Sequence, residues 1–140
     1  MSVDFIDSNV LIYLLDQDSP QKRTTARRLV EDVLLSGEGR ISFQVIQETL
    51  SVITRKFVRQ VTTDDARQFL DEVLVPLWRV MPTQRLYERS PDIQARYRYS
   101  FYDSLIIAAA LSAGCERLLS EDLQHGQRIE GLTIENPFAA

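Results

Sequence analysis

Apolar positions recur along the chain in two rhythms, short continuous runs and steps of three or four residues. Val3-Asp4-Phe5-Ile6 is a short strand, broken at Asp7-Ser8-Asn9 and followed by an apolar helical turn from Val10 to Leu15. Ser19-Pro20 reads as a helix N-cap followed by a proline in the first turn, where there is no useful N–H to lose. Ala26, Leu29, Val30, Val33 and Leu34 mark its inner face, and Gly37 stops it. Arg40 to Phe43 is a second strand, and Val45 to Phe57 a helix with a broad apolar face. Thr62-Thr63-Asp64-Asp65 caps a helix carrying Ala66, Phe69, Leu70, Val73 and Leu74, its acidic first turn matched to the helix dipole. Pro76 is expected to end that helix. Trp78 to Met81 is a third strand, and Thr83 caps a helix with Leu86, Tyr87, Ile93 and Tyr97, in which Pro91 stands where it would break or kink the ladder. Ser100 to Ala113 is the most apolar segment and Gly114 closes it. Arg117 to Ser120 is a fourth strand, Glu121 to Gly131 a polar loop, and Leu132 to Glu135 a last strand before Asn136-Pro137.

Strands alternating with helices of this length predict an α/β fold, with right-handed crossovers and a parallel sheet covered on both faces. Ligands of such sheets sit beyond the carboxyl ends of the strands, where strand order reverses. The 140 residues suit a single domain spanning 1–140. The longest uninterrupted apolar run, Leu105 to Leu111, is far short of the ~20 residues of a bilayer helix. No leader pattern follows Met1-Ser2-Val3-Asp4, so the expectation is a cytoplasmic protein away from membranes. Cys115, the one cysteine, can make neither an internal disulfide nor a zinc site alone.

Charge narrows the function classes. A net charge of −4 speaks against nucleic-acid binding driven by bulk electrostatics, though not against local contacts. All but Lys22 and Lys56 of the 16 basic residues are arginine, the better bidentate phosphate ligand. There is no G-x-G-x-x-G, Walker A or G-x-S-x-G sequence, which removes support for dinucleotide, P-loop and serine-hydrolase sites. His125 lies in a glycine-flanked polar loop and reads as a surface residue.

Four carboxylates occupy informative places. Asp7 ends the first strand, where it serves either a site or an Asx cap. Glu48 shares a helix face with Val45 and Val52, an unusual setting unless it snorkels to water. Asp103 lies in the first turn of the most apolar helix, where Ser100 is also available as the cap. Asp122 follows the fourth strand, with Glu121 beside it as a competing candidate. If these acids meet in one crevice they cannot all stay ionised without a cation, so the cluster predicts raised pKa values or bound metal. All-oxygen ligands select Mg²⁺ or Mn²⁺, and such an ion can activate water against a phosphodiester.

At these residues the chain resembles a known family. Asp7-Ser8-Asn9-Val10-Leu11-Ile12-Tyr13 resembles the opening motif of PIN-domain ribonucleases. Gln47-Glu48, Tyr102-Asp103-Ser104-Leu105-Ile106 and Leu119-Ser120-Glu121-Asp122 are similar to its remaining acidic stations, in order. Leu123-Gln124-His125-Gly126-Gln127 and Asn136-Pro137-Phe138 are similar to a subset of bacterial members. The resemblance implies a three-layer α/β/α PIN-like fold with a central parallel sheet flanked by helices. It implies that Asp7, Glu48, Asp103 and Asp122 surround Mg²⁺ or Mn²⁺ and act in catalysis, with Asn9 and Ser120 as orienting supports. It further implies an endoribonuclease of the VapC toxin type, often homodimeric and inhibited by a cognate antitoxin protein. Ser104 departs from the alanine expected after the acid and could add a hydrogen bond to Asp103. RNA contact is assigned to Arg55 and Lys56, after the glutamate helix, and to Arg96 and Arg98, interleaved with tyrosines. Two other readings share these residues, a non-catalytic PIN-like interaction module and a metal-dependent nuclease acting on DNA.

Overall fold

The computed structural model describes residues 2–57 and 59–139, so Met1 lies outside it. Among the described residues six strands form one sheet: β1 (Asp4–Ile6), β2 (Gly39–Ser42), β3 (Trp78–Val80), β4 (Arg117–Leu119), β5 (Arg128–Ile129) and β6 (Leu132–Glu135). Their spatial order is β3-β2-β1-β4-β6-β5, and every pairing is parallel except β5 with β6. Phe5, Ile6, Leu118 and Leu119 in the two central strands are all buried, which is why these segments are apolar runs and not alternating ones. The helices are α1 (Ser8–Ile12, extended by a 3₁₀ turn), α2 (Pro20–Ser36), α3 (Phe43–Lys56), α4 (Thr63–Phe69), α5 (Val75–Leu77), α6 (Gln84–Tyr97) and α7 (Phe101–Ser112). The fold is α/β, a mostly parallel sheet flanked by helices, as the pattern predicts.

Packing explains the composition of individual elements. α7 lies against β2 and β4 on one side and α6 on the other, so Ser104 through Ala110 are all buried. Val33 of α2 seats directly on β2: a Cβ on Gly39 would stand 2.8 Å from Val33 Cβ, so only glycine fits there. Gly37 takes the left-handed conformation, φ 74°, that closes α2, and its N–H reaches Val33 O.

Four expectations are corrected. The stretch from Glu121 to Gly131 is not all loop, because Arg128–Ile129 forms β5, antiparallel to β6, around Glu130 at φ 55°. Pro76 does not end the preceding helix. A π turn at Leu70–Leu74 carries the chain into α5, and Pro76 sits in its first turn, where no N–H is needed. Pro91 does not break α6 either. Proline leaves the carbonyl four residues earlier without its donor, and the Ser90 hydroxyl fills the gap by donating to Tyr87 O at 3.0 Å. Ser19 precedes α2, but its hydroxyl makes no capping bond.

Candidate active site

Strand order reverses between β1 and β4. The chain steps from β1 to β2 and β3 on one side, and later places β4 and β6 on the other. Asp7 follows β1, and Ser120, Glu121 and Asp122 follow β4, at that reversal. Asp7 is buried and caps α1, its Oδ1 accepting the Ser8 N–H at 2.8 Å. Its other oxygen, Oδ2, accepts from Ser120 Oγ at 2.8 Å and from Asn9 Nδ2 at 3.2 Å. The cap and the site therefore use different oxygens of one carboxylate. Asn9 Nδ2 lies 3.2 Å from both Ser120 Oγ and Asp122 Oδ2, while Asn9 Oδ1 accepts the Glu121 N–H at 3.0 Å. Asn9 thus ties the end of β1 to the end of β4.

Glu48 approaches from α3, which Ser42 caps. Ser8 Oγ and Gln44 Nε2 each lie 3.4 Å from its carboxylate. Gln44 also donates to the Tyr102 carbonyl at 3.1 Å, linking α3 to the first turn of α7. There Ser100 is the cap, accepting the Asp103 N–H at 3.2 Å, which leaves the Asp103 carboxylate out of the capping bond. Ser104 does not make the hydrogen bond to Asp103 expected of it. Its hydroxyl faces the interior, buried and without a partner. Ser104→Ala is therefore expected to stabilise the protein by about 1 kcal/mol, because an unsatisfied buried hydroxyl is removed. In a chain of this size that is a rise of about 3 °C in melting temperature, readable by circular dichroism.

Burial pushes the Asp7 carboxyl up from 3.8 to about 6, against the pull of hydrogen bonds from Ser120 and Ser8, with the charges of Glu48 and Asp122 adding to the rise. Burial likewise raises Glu48, opposed by Gln44 and Ser8 and reinforced by Asp103 and Asp122. Asp7 and Glu48 thus each feel charges of the other acids. Among the described residues, however, no three His, Cys, Asp or Glu side chains form a ready-made metal cage. An open cleft beside Glu48 and Asp122 is lined by Ser8, Asn9, Ile12, Gln47, Ser51 and Val52, with no basic side chain among the described residues that line it. The donor set nonetheless suits a hard divalent cation. Mg²⁺ keeps several waters and takes only one or two carboxylates plus substrate phosphate, so a complete protein cage is not required.

Glu121, the competitor of Asp122, is otherwise engaged. Burial alone would raise it, but hydrogen bonds from Lys22 and Tyr13 and the Lys22 charge hold it below the ordinary glutamate value. Arg55 and Lys56 are exposed in the last turn of α3. They stand seven and eight residues past Glu48, roughly 10–12 Å along the helix axis. Arg96 opens onto a groove with Arg89, Asp92, Tyr97 and Glu130, which contains none of the four acids. Arg98 closes α6 in the left-handed conformation, φ 62°. His125 is a structural pin, its Nδ1 accepting the Asn136 N–H at 2.9 Å. Reading the sequence missed Ser8 and Gln44 as supports of Glu48. The Gln44–Glu48 pair carried a usable signal in its i,i+4 spacing.

The sequence profile of the PIN domain matches residues 5–128. The chain belongs to the PIN domain family. No functionally curated protein sequence matches it significantly. Among solved structures, this PIN domain is similar to a toxin–antitoxin complex from Klebsiella pneumoniae, with a TM-score of 0.66 at 20% identity over 98% of this chain and 99% of that one. It is also similar to VapBC2 from Rickettsia felis bound to a DNA fragment from its promoter, with a TM-score of 0.65 at 16% identity over 95% and 97%. A third is VapC20 of Mycobacterium tuberculosis, a toxin that cleaves the sarcin–ricin loop, with a TM-score of 0.59 at 21% identity over 82% and 86%. The fold is thus PIN-like and shared with VapC proteins. No helix among the described residues is long and apolar enough to cross a membrane.

Proposed function

We propose that this PIN domain is a Mg²⁺- or Mn²⁺-dependent endoribonuclease and the toxin of a toxin–antitoxin pair. The observation that carries the reading is the group of acids at the strand-order reversal, with Asp7 buried and raised to about 6 and Glu48 raised beside it. Such a site is held at the expense of stability, and a divalent cation relieves it. When bound, that cation supplies an activated water and neutralises charge on the departing oxygen. The chain's own residues prepare the place. Ser120 and Asn9 fix Asp7, Ser8 and Gln44 fix Glu48, and the first turn of α7 offers Asp103, while Asp122 stands exposed on the rim. RNA as substrate is supported by the VapC20 likeness, and the toxin role by the two toxin–antitoxin likenesses. Arg55, Lys56, Arg96 and Arg98 then serve phosphates outside the cleft itself.

An exposed apolar groove is also present. Phe43, Met81, Tyr87, Phe101 and Tyr102 are exposed around one apolar groove, and Gln44 lines it too. A contiguous apolar face of this kind marks an interaction site. We assign it to an antitoxin, which the likeness to toxin–antitoxin complexes supports.

Calorimetric titration of Mn²⁺ into the parent protein and Asp103→Asn, alongside cleavage of a structured RNA, tests the proposal. Cation affinity and cleavage should both fall in the variant by more than the roughly 10–100-fold typical of losing an outer-shell partner. Equal binding and equal cleavage would overturn it. Cleavage of single-stranded DNA with RNA left intact would transfer the activity to DNA.

A further inference from the structure

We propose that Lys22 is a positioning residue for the acidic site, acting through Glu121, an inference that rests on the metal-dependent reading above. Lys22 Nζ stands 2.5 Å from Glu121 Oε2 and donates to the Tyr13 hydroxyl at 3.2 Å. That hydroxyl in turn donates to Glu121 Oε1 at 2.6 Å. One carboxylate oxygen is thus held from the 3₁₀ turn after α1 and the other from the first turn of α2, while the Glu121 N–H donates to Asn9 of α1. Side chain and backbone of one residue are anchored on successive elements after β1.

Glu121 lies between Ser120 and Asp122, so the clamp sets the position of both. Ser120 Oγ is the donor to Asp7, and Asp122 Oδ2 shares the Asn9 amide. The clamp is itself backed by packing. Tyr13 and Phe138 meet edge to face with ring centres 4.9 Å apart, and Lys22 Nζ lies 5.0 Å from the Tyr13 ring and 5.8 Å from the Phe138 ring. A partly exposed ion pair contributes little to stability on its own. Its consequence here is geometric. It also keeps a fifth carboxylate, adjacent to Asp122, engaged with Lys22 and Tyr13.

Positioning and simple electrostatics predict opposite signs. Deleting a positive charge beside an acidic site should by field alone tighten Mn²⁺ binding. If Lys22 acts by holding the Ser120–Asp122 segment, Lys22→Met instead weakens Mn²⁺ roughly tenfold, the scale of an outer-shell loss. Lys22→Arg should keep the parent affinity, and Glu121→Ala should weaken binding in the same direction. The double variant Lys22→Met/Glu121→Ala should bind no more weakly than the worse single one, because the two act as a unit. Calorimetry with Mn²⁺ alone reads all of these, with circular dichroism confirming the fold. Should Lys22→Met not fold, Tyr13→Phe removes one bond to Glu121 without removing charge, and it too should weaken Mn²⁺. Unchanged or tighter binding in the folded variant, or losses that add in the double one, overturns the clamp. Absence of Mn²⁺ binding by the parent overturns the metal reading and the clamp together. Binding that Asp103→Asn destroys and Lys22→Met leaves intact overturns the clamp alone.

Discussion

Asp7→Asn is expected to give a protein that is inactive on RNA yet more stable than the parent at neutral pH. The Asp7 carboxyl has a folded-state value of about 6 against an ordinary 3.8, chiefly because it is buried. The folded state therefore binds its proton more tightly than the unfolded chain does. The stability this gives is fully present below pH 3.8 and is lost as pH rises through about 6. At neutral pH the ionised form is left at a disadvantage of roughly 3 kcal/mol. An amide has no charge to desolvate, so the variant escapes that penalty. It does not escape cleanly, because Oδ2 now accepts from Asn9 Nδ2 and Ser120 Oγ, and an amide nitrogen placed there would face the Asn9 donor while the Ser120 hydroxyl turns to accept. Losing the Asn9 bond takes back about 1–2 kcal/mol, which leaves a net gain of about 1–2 kcal/mol. Urea unfolding at pH 7.5 and pH 4 checks the sign, since the gain should vanish or reverse at the lower value. Cleavage should fall roughly 10³-fold, the scale of losing a group preorganised toward the reacting centre. A variant that keeps parental cleavage would remove Asp7 from the site, and one less stable at pH 7.5 would contradict its burial as a charge.

The same buried carboxylate shows what the sequence could reveal. The sheet was legible because its central strands are short apolar runs separated by helical spacing, and the place of the candidate site because an α/β sheet tells where to look. Asp7 and Asp122 lie just past the ends of β1 and β4 for that reason. What stayed hidden depends on contacts between distant residues. Ser8 meets Glu48 across 40 positions, Gln44 meets the Tyr102 carbonyl across 58, and Lys22 meets Glu121 across 99. No local spacing reports such pairs, so the engagement of Glu121 with Lys22 and Tyr13 was not legible in the sequence.

Local rules also failed where a side chain or a wider turn compensated. Pro91 has the sequence signature of a break, and only the Ser90 hydroxyl, turned onto Tyr87 O, explains why α6 continues. Strand β5 has two residues and one buried apolar side chain, Ile129, too little to register as periodicity. Ser104 fits its helix in sequence terms, and its unsatisfied hydroxyl shows only once α7 is enclosed by β2, β4 and α6.

Mn²⁺ is expected to raise the parent's melting temperature at pH 7.5, with the effect roughly halved at pH 5 and nearly gone at pH 4. A ligand present at 100 times its dissociation constant stabilises by about 2.7 kcal/mol, roughly 8 °C in a chain of this length. The cation must displace the proton on Asp7, which is held up to about 6. Below that value each pH unit weakens binding about tenfold for one displaced proton, a loss of about 1.4 kcal/mol until the stabilisation is exhausted. Glu48, raised for the same reasons, steepens the fall. Differential scanning fluorimetry with and without Mn²⁺ reads the shift, and EDTA should return it to zero. A shift that persists at pH 4, or that survives in Asp103→Asn, would mean that the ion binds elsewhere. The parent without cation loses stability from pH 4 to 6, because the unfolded chain releases a proton that the folded state keeps on Asp7, and Mn²⁺ should flatten that loss. A slope that the cation removes is what a site holding a buried carboxylate requires, because the charge that burial disfavours is what the cation compensates.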